Sequence, residues 1–499
     1  MIKTKYFKMQ TITAICTLVS ISSIASTTSF TSIQTETFNT PGSVSNAWGD
    51  YDKDGDLDLL VSIKGGEVRL YRNDNGVFVS VGKELGLPIK GDQIRGVSWG
   101  DYDNDGDLDI LGGSNEMPIP SRSYVFRNDD GKAFVEVAES IGLAIPGRIS
   151  RQSNWIDYDN DGDSDLYAAN RTGANQLLQN ENGVFKPLGY ASGVYDSRRT
   201  VGACWFDIDN DGDLDFFLAN QSGDSDTVGR NDIDKFVDIA PELGMDETQR
   251  LYSEGGVGCA VGDYNNDGYI DLYVTTYGEN LLYKNNGDGS FEEVGKTQGV
   301  VDPDHSVAAA WGDYNNDGYL DLMVVGYHKV NGQSEPLGKL YKNTGSKFEV
   351  DDSYPELTSA GDHGVEWIDY DNDGDLDLSV TDGYGATGGH FVFKNEMDEA
   401  ARAKSIAVLV LDTQGNYTQQ GAVVKFLDAD GKILGSRIVS TGGGYNAQSA
   451  RPVYFTLPSL QPITVEVNFM GSEKLSVEVK DITTLANKPL MVHRPATSK

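Results

Sequence analysis

The sequence predicts an all-β protein: a seven-bladed β-propeller whose N-terminal strand closes the last blade, followed by a small β-sandwich-like domain. Three observations predict it. An acidic nonapeptide, "DYDNDGDLD" in the copy at 101–109, begins at Asp50, Asp101, Asp157, Asp207, Asp263, Asp313 and Asp369, in steps of 51, 56, 50, 56, 50 and 56 residues. A fixed period near fifty marks a repeat architecture. A second signal follows each copy: "LYRNDNGVF" from Leu70, "VFRNDDGKAF" from Val125, "LLQNENGVF" from Leu177, "VGRNDIDKF" from Val228, "LYKNNGDGSF" from Leu282 and "LYKNTGSKF" from Leu340. The last copy, "VFKNE" from Val392, lacks the Phe half, and a spare strand, "FTSI", begins at Phe30, 20 residues ahead of Asp50.

Each repeat reads as four short strands. An apolar strand ends in a Trp-Gly-Asp-like step, as at Trp48, Trp99 and Trp311, and the acidic loop follows. A second strand such as "LDLLVS" comes next, then the "LYRN" strand, a turn and an "FVSV" strand. No helical periodicity crosses these segments. Four strands per repeat, seven times over, is the pattern of a propeller. In the other repeats 21 to 27 residues separate the Phe from the next acidic loop, so the N-terminal strand is placed to complete the last blade and hide both sheet edges. The alternative, an open solenoid, has no need of the missing strand at the far end of the chain.

The 499 residues carry a net charge of −36 and a pI near 4.3, which argue against nucleic acid or an anionic membrane as partner. With 38% hydrophobic and 10% aromatic residues the chain has the means to fold, and 58 Gly against 15 Pro favour tight turns. Lys3, Lys5 and Lys8 precede the apolar run "TITAICTLVSISSIA", and Ser23-Ile24-Ala25 resembles a cleavage site. Residues 1–25 are therefore read as a signal peptide with the mature start near Ser26. A short membrane anchor is the alternative. The propeller is assigned to 26–396, a charged helix-friendly linker to 397–404 and the β domain to 405–499. Cys204 and Cys259 occupy nearly equivalent places ahead of two successive acidic loops. They are expected to be two buried free thiols, with a disulfide as the alternative.

The loop consensus is D-x-[DN]-x-D-G-x-x-D. Oxygens at positions 1, 3, 5 and 9, with the carbonyl of position 7, are suited to wrapping one hard cation, and Gly at position 6 allows the sharp turn. Strands, not helices, flank the loops and no Glu closes a twelve-residue loop, so this is not an EF-hand. Tight octahedral Mg²⁺ is disfavoured, and Zn²⁺ would want Cys or His. The candidate metal residues are Asp50, Asp52, Asp54, Asp56 and Asp58; Asp101, Asp103, Asp105, Asp107 and Asp109; Asp157, Asp159, Asp161, Asp163 and Asp165; Asp207, Asp209, Asp211, Asp213 and Asp215; Asp263, Asn265, Asp267, Tyr269 and Asp271; Asp313, Asn315, Asp317, Tyr319 and Asp321; and Asp369, Asp371, Asp373, Asp375 and Asp377. Up to seven Ca²⁺, one per blade, are the expected cofactors. The competing reading is a set of solvated Asx-turns.

Strings such as "WGDYDNDGDLD" followed by "LYRNDNGVF" resemble FG-GAP/VCBS repeats, as in the head of integrin α chains, over about residues 30–396. The resemblance implies a seven-bladed propeller with Ca²⁺ in the hairpin loops. Beyond the linker, "GAVVKF", "GGGYNAQSARPVYFTL" and "VEVNFMGSEK" resemble the ASPIC/UnbV domain, and the whole chain resembles the bacterial relatives of cartilage acidic protein.

No G-x-S-x-G, H-E-x-x-H or Gly-rich phosphate loop is present, and the five His are scattered. The expected function is a calcium-binding propeller, secreted, periplasmic or held at the cell surface of a bacterium, that recognises a protein or polysaccharide ligand. The alternatives are a calcium-dependent polysaccharide lyase or hydrolase with its site at the channel mouth, and an outer-surface scaffold. The loops entering the innermost strands carry Arg95, Arg151, Arg198, Arg199, His305 and His363. In so acidic a chain these are the candidate ligand-binding residues for an anionic group. Ordinary ion pairing with nearby acids is the competing account.

Overall fold

In each repeat the acidic loop joins a buried strand to its antiparallel partner. In the computed structural model, which describes residues 28–91, 94–114, 122–144, 149–233, 235–330, 332–384, 389–485 and 487–496, seven sheets have this construction among the described residues. The predicted signal segment 1–25 lies outside them. No helix of the described residues is long and apolar enough to cross a membrane.

The innermost strands are Ser43–Gly49, Ile94–Gly100, Ile149–Ile156, Thr200–Phe206, Gly256–Gly262, His305–Gly312 and Val365–Ile368. They are almost wholly buried, which explains their near-continuous runs of small and apolar residues. Each packs on the next, and Val365–Ile368 packs back on Ser43–Gly49. The sheet of the last repeat takes its fourth strand from the N-terminus: Phe30–Ser32 pairs antiparallel with His390–Asn395, Phe30 facing Asn395. The fold is thus all-β, built of repeated four-stranded sheets and consistent with a β-propeller.

The Trp-Gly step has a steric cause. A Cβ on Gly100 would lie 2.3 Å from Cδ1 of Trp155, and one on Gly312 would lie 2.4 Å from Cγ of Trp367. The ring that ends one innermost strand therefore lies flat on the glycine of the strand before it. Trp48, Trp99, Trp155, Trp205 and Trp367 are buried to within 1%. Each buried aromatic ring contributes on the order of 2–3 kcal/mol through burial.

Cys204 and Cys259 form a disulfide between the innermost strands of the fourth and fifth repeats, with Cα atoms 6.1 Å apart. This corrects the expectation of free thiols. The two lie one place apart in the repeat, three and four residues ahead of Asp207 and Asp263, so side-chain alternation turns them toward each other across neighbouring strands.

Asp398 caps the short linker helix Glu399–Arg402 by accepting from Ala401 N. Beyond it lie two sheets. Ser405–Leu411 pairs with Val453–Thr456 and Leu490–His493, and Val423–Leu427 lies between Ile433–Ile438 and Ile463–Asn468, with Lys474–Val479 at the edge. Phe426 and Phe455 stack at 4.4 Å between the sheets.

This part of the chain is not merely appended. Its segment from Thr441 to Ala450 runs between the innermost strands. Ala447–Gln448 pairs in parallel with Val97 and Ser98, and Ala450 N donates to Trp48 O at 2.7 Å. Gln448 accepts from Trp155 N at 2.8 Å and donates to Trp155 O at 2.9 Å, while Thr441 Oγ1 donates to Trp205 O at 2.6 Å. A strap from the C-terminal domain therefore fills the axis of the repeat array.

Candidate functional site

The acidic loops share one geometry. Position 4 is Lys53, Asn104, Asn160, Asn210, Asn266, Asn316 or Asn372, all with φ between 53° and 65°, and position 6 is Gly with φ between 87° and 99°. Asn tolerates the left-handed region and Gly is at home there, which explains the recurrent N-D-G. The position-1 carboxylate accepts the backbone N–H groups of positions 5 and 6: Asp50 from Asp54 at 3.1 Å and from Gly55 at 3.0 Å. The position-9 carboxylate accepts from position 2 and from the third strand: Asp58 from Tyr51 at 3.1 Å and from Asn73 at 2.8 Å.

These bonds draw positions 1, 3 and 9 together. In the loops at Asp50, Asp101, Asp157, Asp207 and Asp369, one carboxylate oxygen from each of the three positions lies within 4.8 Å of the others. The loops at Asp263 and Asp313 have Asn at position 3. Asn265 donates to Asp267 at 2.9 Å and Asn315 donates to Asp321 at 3.1 Å.

The decisive feature is position 3. One side-chain oxygen each of Asp52, Asp103, Asp209, Asn315 and Asp371 is buried and meets no hydrogen-bond donor among the described residues. A buried oxygen without a donor, set among carboxylates, is compatible with a hard cation. The electrostatics agree. Burial above all, helped by neighbouring carboxylates and opposed by backbone donors, pushes Asp58 and Asp165 up to about 9 and Asp215 up to about 8. Position 1 is raised in the same way, Asp50 and Asp207 to about 6 and Asp101 and Asp157 to about 7. Without a cation the fold would hold protons at position 9 at neutral pH.

The other two predicted positions have different partners. At position 5, Asp54 accepts from Asp56 N at 2.9 Å, an Asx-turn within the loop that recurs in its counterparts. The position-7 carboxylates find partners outside their own loops. Asp56 and Asp107 accept from the hairpin N–H groups of Asn75 and Asp130 at 2.8 and 2.7 Å, and Asp375 accepts from Met397 N in the linker at 3.1 Å. Asp163 and Asp213 accept from Asn104 and Asn160 of the preceding loop, both at 2.7 Å. The rings of Tyr269 and Tyr319 lie against Gly287 and Gly345 of the following hairpin turns. At position 7 the side chains are thus committed to neighbouring turns and loops.

Three stretches, residues 50–112, 157–218 and 263–324, match the FG-GAP-like repeat family, and each spans two acidic loops. The chain carries FG-GAP-like repeats. No curated protein matches it. Among solved structures it is similar to BBS1N in complex with ARL6DN, at 11% identity over 71% of this chain and 92% of that one, with a TM-score of 0.43. It is also similar to an Agrocybe aegerita lectin that recognises non-reducing terminal N-acetylglucosamine, at 16% identity over 74% of this chain and 98% of that one, with a TM-score of 0.39.

The FG-GAP-like repeats are tied to each other by an Asn that sequence reasoning quoted but did not assign. Asn128, Asn180, Asn231, Asn343 and Asn395 each donate to the position-2 carbonyl of the preceding loop, at 2.8 to 2.9 Å. Its presence in every "LYRN" string was the available signal.

The structure divides the six basic candidates. Arg198 is paired with Asp196 and Asp238, and Arg199 with Asp224, all at 2.8 Å, so for these two the ion-pairing account holds. Arg95, Arg151 and His363 converge on a residue that sequence reasoning missed, Tyr445 of the strap. Arg95 Nε and Arg151 Nη1 each donate to its hydroxyl at 3.0 Å, and Arg95 Nη2 lies 3.2 Å from His363 Nε2. Burial pushes the Tyr445 phenol up, yet the two guanidiniums outweigh it and hold the phenol below its ordinary value. His305 stands beside this group, 4.8 Å from Tyr277 and 5.4 Å from Tyr327 between ring centres.

The C-terminal domain and the linker meet the acidic-loop face. Asp263 accepts from Ser436 N and Oγ at 3.0 and 2.7 Å, Thr456 donates to Asn316 at 3.1 Å, and Arg402 of the linker helix pairs with Asp373 at 2.7 Å.

Proposed function

We propose that the chain is an exported propeller of seven FG-GAP-like blades, closed by Phe30–Ser32, clamped by calcium in its acidic loops and acting as a protein- or glycan-recognition module. The observation that carries the metal assignment is the buried, donorless oxygen at position 3, beside the carboxylates of positions 1 and 9. An all-oxygen donor set without Cys or His suits Ca²⁺. The residues at positions 1, 3 and 9 and the carbonyl of position 7 would hold it. Bound there, the ion supplies charge neutralisation and a clamp on each hairpin.

Export is supported by the predicted signal peptide and by the Cys204–Cys259 disulfide, which belongs in an oxidising compartment. Residues 26–396 form the propeller, 397–404 the linker and 405–499 an ASPIC/UnbV-like domain. That domain lies on the acidic-loop face, so the opposite face, where the innermost strands begin, is the one left to a ligand.

A glycan and protein binding screen run with calcium and with chelator tests this reading. The expected result is a ligand retained in calcium and released by chelation. A melting temperature indifferent to chelator removes the metal assignment. A folded, calcium-loaded chain that retains no ligand removes the recognition assignment.

A further inference from the structure

Two arginines are buried where the strap reaches the beginning of the innermost strands. Arg95 is 8% exposed and Arg151 is 6% exposed. In a chain with 76 acidic residues, acids are not scarce. Yet the groups that act most strongly on Arg151 are Tyr445, Arg95, Arg171 and Tyr277, none of them a carboxylate. Those acting most strongly on Arg95 are Tyr445 and Tyr384. Asp362, an acid on this side, is engaged with Nδ1 of His363 and with the N–H groups of Gly383 and Tyr384. Arg151 Nε is buried and has no hydrogen-bond partner among the described residues. A buried guanidinium N–H without an acceptor is costly to leave unmade and is what an oxyanion satisfies.

Beside the guanidiniums stands a run of rings. Tyr384 is 40% exposed, and its ring lies 4.6 Å from His363 and 5.1 Å from Tyr327, edge to face in both cases. Lys64 Nζ stands 4.4 Å over the Tyr384 ring. Exposed aromatic faces next to a fixed cation suit a ring that is apolar on its C–H face and anionic at its edge.

We infer that this end of the axis binds an acidic saccharide, its oxyanion seated on Arg151 Nε beside the Tyr445 hydroxyl and Arg95, and its ring laid on Tyr384. The inference rests on the recognition reading and narrows it to one ligand class. Carboxylate and sulfate share the chemistry, so both are tried.

The test is calorimetric titration of the calcium-loaded full chain with a galacturonate tetramer, a sulfated galactose tetramer and an uncharged galactose tetramer. Binding of at least one charged tetramer, and not of the uncharged one, is expected. Arg151→Gln should weaken it about tenfold or more, the loss of one charge-assisted hydrogen bond. Tyr384→Ala, at an exposed ring, should weaken it without moving the melting temperature. It therefore answers the question even if Arg151→Gln does not fold. Charged tetramers that bind no better than the uncharged one, or that bind both variants like the parent, overturn the inference. A neutral glycan or protein ligand that binds the parent and Arg151→Gln alike overturns it too, while leaving the recognition reading intact.

Discussion

Asn73 donates through Nδ2 to the main-chain carbonyl of Tyr370, 2.9 Å away across 297 residues of chain. The bond joins the first repeat to the loop of the last. It is the same bond that Asn128 makes to Tyr51 and Asn180 to Tyr102 between consecutive repeats. The Asn also donates to Leu57 O and accepts from Gly76 N, so one amide serves its own hairpin and the neighbour's loop. Replacing Asn73 with Ala leaves two buried carbonyls and one N–H without partners. A loss of about 2–4 kcal/mol is expected in urea unfolding, with a matching loss for Asn180→Ala. If the first and last repeats are not held together by this contact, Asn73→Ala will cost far less than Asn180→Ala.

Calcium removal should lower the melting temperature reversibly. Each site filled to a hundred times its dissociation constant contributes about 2.7 kcal/mol, so several sites acting together make a large shift. The five loops whose carboxylates converge should fill first. The loops with Asn265 and Asn315 carry one charge fewer at position 3 and should bind more weakly. Equilibrium dialysis with radioactive calcium, with and without Asp103→Ala, counts the sites. A count that Asp103→Ala leaves unchanged refutes the assignment of that loop.

His390 makes stability depend on pH. Burial alone pushes its imidazole down to about 3. Its Nε2 lies 3.0 Å from Ser379 Oγ, and its Nδ1 is buried without a partner among the described residues. The folded state holds the neutral ring, whereas the unfolded chain takes up a proton near pH 6.5. The stability from this group is therefore complete above about pH 6.5 and is lost as pH falls toward the folded value, by about 1.4 kcal/mol per pH unit. Subtracting the profile of His390→Gln from that of the parent isolates the slope. A flat difference between pH 6 and pH 4, on the order of the unperturbed range, contradicts the prediction.

The Cys204–Cys259 disulfide closes a separation of 55 residues, and both side chains are at most 2% exposed. Loop-closure entropy makes its removal worth about 4 kcal/mol. Replacing both cysteines with Ala should lower the urea midpoint accordingly. In the parent, thiol labelling after mild reductant should require denaturant. Rapid labelling of the native chain would show that the two sulfurs are not protected.

The strap makes the C-terminal domain part of the propeller's core. Trp48 N, Trp155 N and Val97 N all donate to it, to Ser449, Gln448 and Asn446. Deleting residues 405–499 strands these donors, and a chain ending at 404 should melt well below the full chain or fail to fold. A single change tests the same contact: Gly444, at φ +55°, has Val365 O 2.6 Å from where a Cβ would stand. Gly444→Val should destabilise by about 2 kcal/mol or more, read from the denaturation midpoint. Unaltered melting of both variants would mean that the array closes without the strap.

Local spacing determined most of what could be read in advance. The acidic loops were legible because their geometry lies within nine residues, where Asp at alternate positions and N-D-G at the turn impose one backbone path. The strand pattern and the spare strand at Phe30 were legible because the period repeats and its defects stand out. Position 7 was read through its main-chain carbonyl, and the partners of its carboxylate, in a later turn or in the loop next door, could not be read from the nonapeptide itself. In the C-terminal part, Ile433–Ile438, Lys474–Val479 and Leu490–His493 went unread, being short and lacking any repeat to average over.

Tertiary structure alone decided the rest. Whether Arg199 meets Asp224 or a ligand, whether Cys204 faces Cys259, and which residue stands between Arg95 and Arg151 all depend on contacts among chain segments far apart in sequence. Tyr445 lies 350 residues from Arg95 and 294 from Arg151. Nothing in the string "GGGYN" announces that it will thread an axis, because the axis exists only once seven sheets have packed around it.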